Sequence, residues 1–219
     1  MAYEDELAST DFFHGVDAVR LGGLTAAGEL RSLVRGDVLF SEDDDADALY
    51  LVLSGRLAIA NRSIDGRESV VALMEAGDLF GDMGLLDGLP RSAEARALES
   101  SRVLALPYGP VRSLFDDDPS LLWNVVRVLS NRLRNTDEAL ADSVFLDVTG
   151  RTAKRLLEIA EGADEFLLPV TQEELAGMVG ASRERVNKAI ASFIRLGWVE
   201  QQDRRYRIIK RTELERRSR

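Results

Sequence analysis

The sequence predicts an α+β fold: an N-terminal β-roll (jelly roll), one long helix, and a C-terminal group of short capped helices closed by a β-hairpin. Three observations carry this. Between Leu30 and Leu106 apolar runs alternate with turn residues, and strands recurring about every 8–12 residues are the mark of a sandwich or roll. Leu122, Val126, Leu129, Leu133, Thr136, Leu140 and Ser143 step by four and three, the seam of a helix that packs along a partner helix. After Val148 capping residues and glycines repeatedly open and close short amphipathic stretches. The corresponding domains are 1–118, 119–146 and 147–219.

The elements follow in order. Val34 to Phe40 ends in an acidic run, Glu42 to Asp47, read as a solvated loop. Leu49 to Leu53 precedes the turn Ser54-Gly55, and Leu57 to Ala60 precedes the turn Asp65-Gly66. Ser69 to Met74, the turn Ala76-Gly77-Asp78 and Arg102 to Leu106 complete the roll. Gly109 to Phe115 is helical. Asp116-Asp117-Asp118-Pro119 then sets acids and a proline at the start of the long helix, Pro119 to Phe145, where they suit its positive end and missing donors. Thr149 caps a helix through Ala160, which Gly162 closes. Thr171-Gln172-Glu173-Glu174 has the capping-box pattern. Ser182, after a tight Gly180-Ala181 turn, caps a helix from Arg183 to Leu196. Two strands around Gln202-Asp203-Arg204 follow.

Composition excludes several classes. With 219 residues, 45% apolar and 30% charged, the chain is an ordinary globular one. No apolar run approaches the roughly 18 residues of a membrane span, and the acidic start Met1 to Glu6 lacks a signal peptide's basic region, so a cytoplasmic protein is expected. There is no cysteine, which removes disulfides, thiolate metal sites and a cysteine nucleophile. His14, the single histidine, lies beside Phe12 and Phe13 and reads as packing rather than a haem ligand; no metal site and no catalytic residue is proposed. Residues 1–142 carry 13 Arg, no Lys and 26 acids, net −13, and residues 143–219 carry 15 basic and 12 acidic residues, net +3. A polyanion partner therefore suits the C-terminal part.

Two stretches bear chemistry. Helices joined by a short glycine turn, the second exposing charge at its start, form a helix-turn-helix. Arg183 can fork onto guanine, Glu184 can accept from cytosine, and Lys188 follows one turn on. Arg204 and Arg205 at the strand turn are placed to reach phosphates, as a wing does. A plain charged face is the alternative; caps, turn and hairpin in register favour DNA. The second stretch runs from Phe80 to Ala93. Gly81 permits close backbone approach, Asp82 can accept from a sugar hydroxyl, and Arg91 with Ser92 can hold a phosphate. A loop-rich corner with one Asp–Arg pair fits these residues equally well.

Gly81-Asp82-Met83 with Arg91-Ser92-Ala93, then Phe145 to Arg151, then Thr171 to Ala176 with Val179 to Glu184, together resemble the cyclic AMP receptor protein (CRP/FNR) family of bacterial transcription regulators, over about Leu30 to Ile209. The resemblance implies a cyclic-nucleotide-binding β-roll, a dimerisation helix and a winged helix-turn-helix bound to a near-palindromic operator in double-stranded DNA. It implies that Arg91 and Ser92 hold the cyclic phosphate in the Gly81–Ala93 cassette, and that Asp82 and the backbone of Gly81 and Met83 meet the ribose. By the same resemblance Arg132 braces Asp82, Thr136 bonds the adenine, and Asp137 of the partner subunit reaches that base. Thr171, Gln172, Ser182, Arg183, Glu184, Lys188, Arg204 and Arg205 make up the implied DNA face.

The expected function is a homodimeric regulator gated by a small effector, cyclic AMP first, with cyclic GMP or another nucleotide as alternatives and no tightly bound cofactor. Two departures define the second reading, a regulator that is ligand-independent or answers another nucleotide. Asp82 stands where cyclic-AMP binders carry glutamate, shorter by roughly 1.5 Å, and Asp137 replaces a serine. RNA polymerase is a further candidate partner, at the loop Gly162 to Pro169. A nucleotide-acting enzyme is the distant alternative, since no Gly-rich loop into Lys-Ser/Thr and no nucleophile–base pair is present.

Overall fold

The computed structural model describes residues 3–62 and 68–219, so the expected turn Asp65-Gly66 lies outside the described residues. The chain forms two compact units, Met1–Leu133 and Arg134–Arg219.

In the first unit, α1 (Glu4–Ala8) and α2 (Ala18–Ala27) precede the strands. One antiparallel sheet has the order β1 (Glu29–Leu33), β8 (Ser101–Pro107), β3 (Ala48–Ser54), β6 (Leu79–Phe80). The other has the order β2 (Val38–Phe40), β7 (Glu94–Ala97), β4 (Leu57–Arg62), β5 (Glu68–Met74). Strand β3 shows why two layers form. Side chains alternate along a strand, and Tyr50 and Val52 point into a core with Leu57, Phe80, Ala95 and Val103 from both sheets. Leu49 and Leu51 face the other way, into a second core with Leu7, Phe13, Leu21, Leu104 and Leu106. That second core is covered by the helices, including α4 (Tyr108–Asp117) and, through Val125, the start of α5 (Leu122–Phe145).

Several expected boundaries are corrected. Val34 to Phe40 is not one element: Asp37 accepts from the Val34 amide at 2.8 Å, and this turn separates β1 from β2. Strand β7 and the short helix α3 (Met83–Asp87) were not expected; alanines at the two buried β7 positions, Ala95 and Ala97, carry little strand signal. Pro119–Leu121 forms a separate 3₁₀ turn capped by Asp118, and α5 begins after it.

The second unit holds α6 (Val148–Ala160), α7 (Gln172–Val179), α8 (Arg183–Arg195) and α9 (Arg211–Arg217), with a sheet ordered β10 (Val199–Gln202), β11 (Arg205–Ile208), β9 (Glu165–Leu167). Asp147, not Thr149, caps α6, because its carboxylate reaches the Gly150 amide at 2.8 Å. The expected loop Gly162 to Pro169 contains β9, whose Phe166 stacks on Tyr206 of β11 with ring centroids 5.7 Å apart. Among the described residues no helix is long and apolar enough to cross a membrane.

Candidate functional site

The pocket is built on Gly81. Its φ of +80° belongs to the left-handed region, and a Cβ there would lie 2.9 Å from Arg91 Nη1 and 3.2 Å from the Ala48 carbonyl oxygen. Only glycine lets the arginine come this close. Arg91 is 5% exposed. Its Nη1 donates to the Gly81 carbonyl and to the Tyr108 hydroxyl, both at 3.1 Å, and Nη2 donates to the Ala48 carbonyl at 2.9 Å. Its guanidinium carbon lies 4.3 Å from the Phe40 ring centroid. Arg91 Nε is buried with no partner, and a buried donor of this kind calls for an acceptor supplied from outside.

The acidic run proves to be more than a solvated loop. Its carboxylates face water, yet the Arg91 amide donates to the Asp44 carbonyl and the Asp43 amide to the Arg91 carbonyl, both at 2.9 Å. The loop thereby clamps the arginine's backbone, and Asp47 stands 3.6 Å from Arg91 Nη2.

Asp82 follows at the start of α3 and is 2% exposed. Both its oxygens accept from Arg132 Nη1, at 2.9 and 2.8 Å, so the buried charge is paired. Ser92 is exposed with its hydroxyl 3.4 Å from the Met83 sulfur, while Ala93 faces inward. Gly81, Asp82, Met83, Arg91, Ser92 and Arg132 are therefore brought together in the first unit. Thr136 lies one turn beyond Arg132 along α5, and both Thr136 and Asp137 are exposed on the part of that helix assigned to the second unit.

Sequence reasoning missed Phe40, Tyr50 and Tyr108. No local motif marks them; they arrive from β2, β3 and the first turn of α4. Burial raises the phenol pKa of Tyr50 and Tyr108 against the opposing pull of Arg91, so both remain hydroxyl donors.

In the second unit Thr171 and Glu174 close a full capping box on α7, and Ser182 caps α8 through the Arg185 amide. Val186, Ala189, Ile190 and Phe193 are buried, leaving Arg183, Glu184, Arg185, Asn187 and Lys188 exposed. Glu184 pairs with Lys188 at 2.6 Å, which lowers its carboxyl pKa and keeps it an acceptor. Three residues of the implied DNA face, Gln172, Arg204 and Arg205, have partners within the chain. Arg204 donates to the Leu168 carbonyl at 3.2 and 3.0 Å, Arg205 pairs with Glu165 at 2.8 Å, and the Gln172 amide donates to the Tyr206 hydroxyl at 2.9 Å. For Arg204 and Arg205 the partners come from β9 and the segment after it, which supply Glu165 and the Leu168 carbonyl beside the wing.

The chain thus carries a buried arginine cradle on a β-roll and, in its second unit, a winged helix-turn-helix. Residues 30–118 match the family described as cyclic nucleotide-binding domain, and residues 150–217 match the Crp-like helix-turn-helix domain. The chain is 36% identical to the CRP-like cAMP-activated global transcriptional regulator of Mycobacterium tuberculosis, over 99% of this chain and all of that one. It is 32% identical to the cAMP-activated global transcriptional regulator Vfr of Pseudomonas aeruginosa, over 71% of this chain and 78% of that one. Among solved structures, the c-di-GMP responsive global regulator CLP of Xanthomonas campestris superposes with a TM-score of 0.76 at 26% identity, covering 88% of this chain and 99% of that one. The chain belongs to the CRP/FNR family, whose members are DNA-binding transcription regulators and not enzymes.

Proposed function

We propose that this protein is a homodimeric transcription regulator whose binding to a near-palindromic operator is controlled by cyclic AMP. The observation that carries the effector reading is the Arg91 cradle, a buried guanidinium with one unpartnered Nε beside the backbone of Gly81. A cyclic phosphate offers the acceptor oxygens that such a group lacks. Homodimerisation is supported by the α5 stripe: Leu122, Val126, Leu129, Leu133 and Leu140 are 41–64% exposed in the single chain, an apolar seam that a second copy of the helix covers. In that arrangement Thr136, with Asp137 of the partner subunit, reads the base, and RNA polymerase is met through the winged domain.

Calorimetric titration of cyclic AMP into the purified protein, with gel shifts on a palindromic operator at each ligand level, tests the proposal. Thr136→Ala is expected to weaken cyclic-AMP binding by about tenfold in the same titration, since it removes one hydrogen bond to the base. Arg183→Ala is expected to cost about 1–3 kcal/mol on the operator, and much less on random DNA in a competition gel shift.

One observation favours a second reading, a different nucleotide effector. Asp82 is shorter than glutamate, and both of its oxygens are already engaged by Arg132, which competes with a ribose hydroxyl for the same acceptors. Stoichiometric heat from cyclic GMP or cyclic di-GMP, with none from cyclic AMP, establishes that reading instead.

A further inference from the structure

We infer that Tyr108 is a positioning residue for the phosphate-holding arginine: its hydroxyl fixes the rotation of the Arg91 guanidinium so that Nε is presented to the ligand. The inference rests on the cyclic-nucleotide reading of the pocket. Tyr108 occupies the first turn of α4, is 7% exposed, and is tied down by its amide, which donates to the Asp47 carbonyl at 2.9 Å. Its hydroxyl accepts from Arg91 Nη1 at 3.1 Å and donates to the Gly81 carbonyl. Arg91 Nη1 also donates to that same carbonyl, so arginine, tyrosine and Gly81 form a closed three-membered hydrogen-bonded ring.

A guanidinium is a planar fork whose five donors move together. Once Nη1 is divided between Gly81 and Tyr108 and Nη2 is set on the Ala48 carbonyl, the direction of Nε follows. The Phe40 ring lies against the same guanidinium but, being apolar, offers it no hydrogen-bond acceptor and does not fix its in-plane rotation. Burial keeps the Tyr108 phenol protonated, so the hydroxyl serves as both acceptor and donor. Removing it leaves the rotation to the Gly81 and Ala48 carbonyls, with the Asp47 carboxylate farther off at 3.6 Å from Nη2.

The test uses Tyr108→Phe in the full-length protein with cyclic AMP and the two diastereomers of its phosphorothioate, in which sulfur replaces one or the other exocyclic phosphate oxygen. The wild type is expected to distinguish the diastereomers, because Nε addresses one oxygen. Tyr108→Phe is expected to weaken cyclic AMP by about tenfold, the equivalent of one hydrogen bond, and to bring the diastereomer ratio toward one. A loss of packing lowers both affinities by one factor and leaves the ratio intact; that result, or unchanged affinity, overturns the inference. Absence of any cyclic-nucleotide binding by the wild type removes the reading of the pocket and the inference with it, whereas binding with an unmoved ratio removes the inference alone.

Discussion

Arg91→Leu is expected to abolish detectable cyclic-nucleotide binding and also to lower the stability of the free protein. The two effects have different causes. Binding is lost because leucine offers neither charge nor donors to a phosphate, whose recognition by arginine is charge-assisted and roughly twice as strong per bond as a neutral contact. Stability falls because the arginine serves buried backbone groups. The Ala48 carbonyl accepts from Nη2 at 2.9 Å and the Gly81 carbonyl from Nη1 at 3.1 Å. Gly81 keeps the Tyr108 hydroxyl as a donor, so Ala48 suffers most, and a buried acceptor left without a partner costs about 1–3 kcal/mol. Arg91→Lys separates the contributions. Lysine keeps the charge but not the fork, so it is expected to recover part of the stability and little of the affinity. Thermal melts without ligand, beside calorimetry with cyclic AMP, read the two effects independently; an Arg91→Leu protein that binds as the wild type does overturns the assignment.

The pocket was legible in the sequence to the extent that it is made of contiguous residues. Gly81, Asp82 and Arg91 announce a close backbone approach beside a charge, and the structure assembles all three. What surrounds Arg91 was not legible, because the Ala48 carbonyl, Phe40 and Tyr108 come from elements distant in the chain. A backbone carbonyl leaves no trace in residue type. The acidic run shows a related limit: its side chains are exposed, as a solvated loop's are, yet the peptide groups of Asp43 and Asp44 hold the Arg91 backbone and the Asp47 carboxylate stands 3.6 Å from Nη2. In the second unit, amphipathic period and capping residues located α7 and α8. Strand β9 escaped because three residues are too few to display alternation. Without it, the protein partners of Arg204 and Arg205, the Leu168 carbonyl and Glu165, are not legible in the sequence.

The start of α6 yields the second large effect. Asp147 caps this helix, accepting from the Gly150 amide at 2.8 Å, and the same carboxylate receives Arg217 from α9. Gly150 permits the approach, since a Cβ there would stand 3.0 Å from the Arg217 carbonyl oxygen and 3.1 Å from its Nη1. Leu214 of α9 is fully buried. One carboxylate thus fixes both the first turn of α6 and the last turn of α9. Asp147→Ala is expected to destabilise the second unit by up to about 2 kcal/mol, the upper end for an N-cap. The ion pair adds little, because the carboxylate side chain is 63% exposed. For a unit of this size, each 1 kcal/mol lowers the melting temperature by about 4–8 °C. The effect carries a pH signature. The Gly150 amide first, then Arg217, hold the Asp147 carboxyl below its ordinary value against the opposing cost of burial. A depressed folded-state pKa means that the stabilisation is complete above the unfolded value of about 4 and is lost as pH falls through the lower folded value. The gap between wild-type and Asp147→Ala melting temperatures is therefore expected to be constant from pH 6 to 8 and to close on acidification below about pH 4. A gap that persists unchanged into that acid range shows that the charged cap and its arginine are not what holds α6 and α9 together.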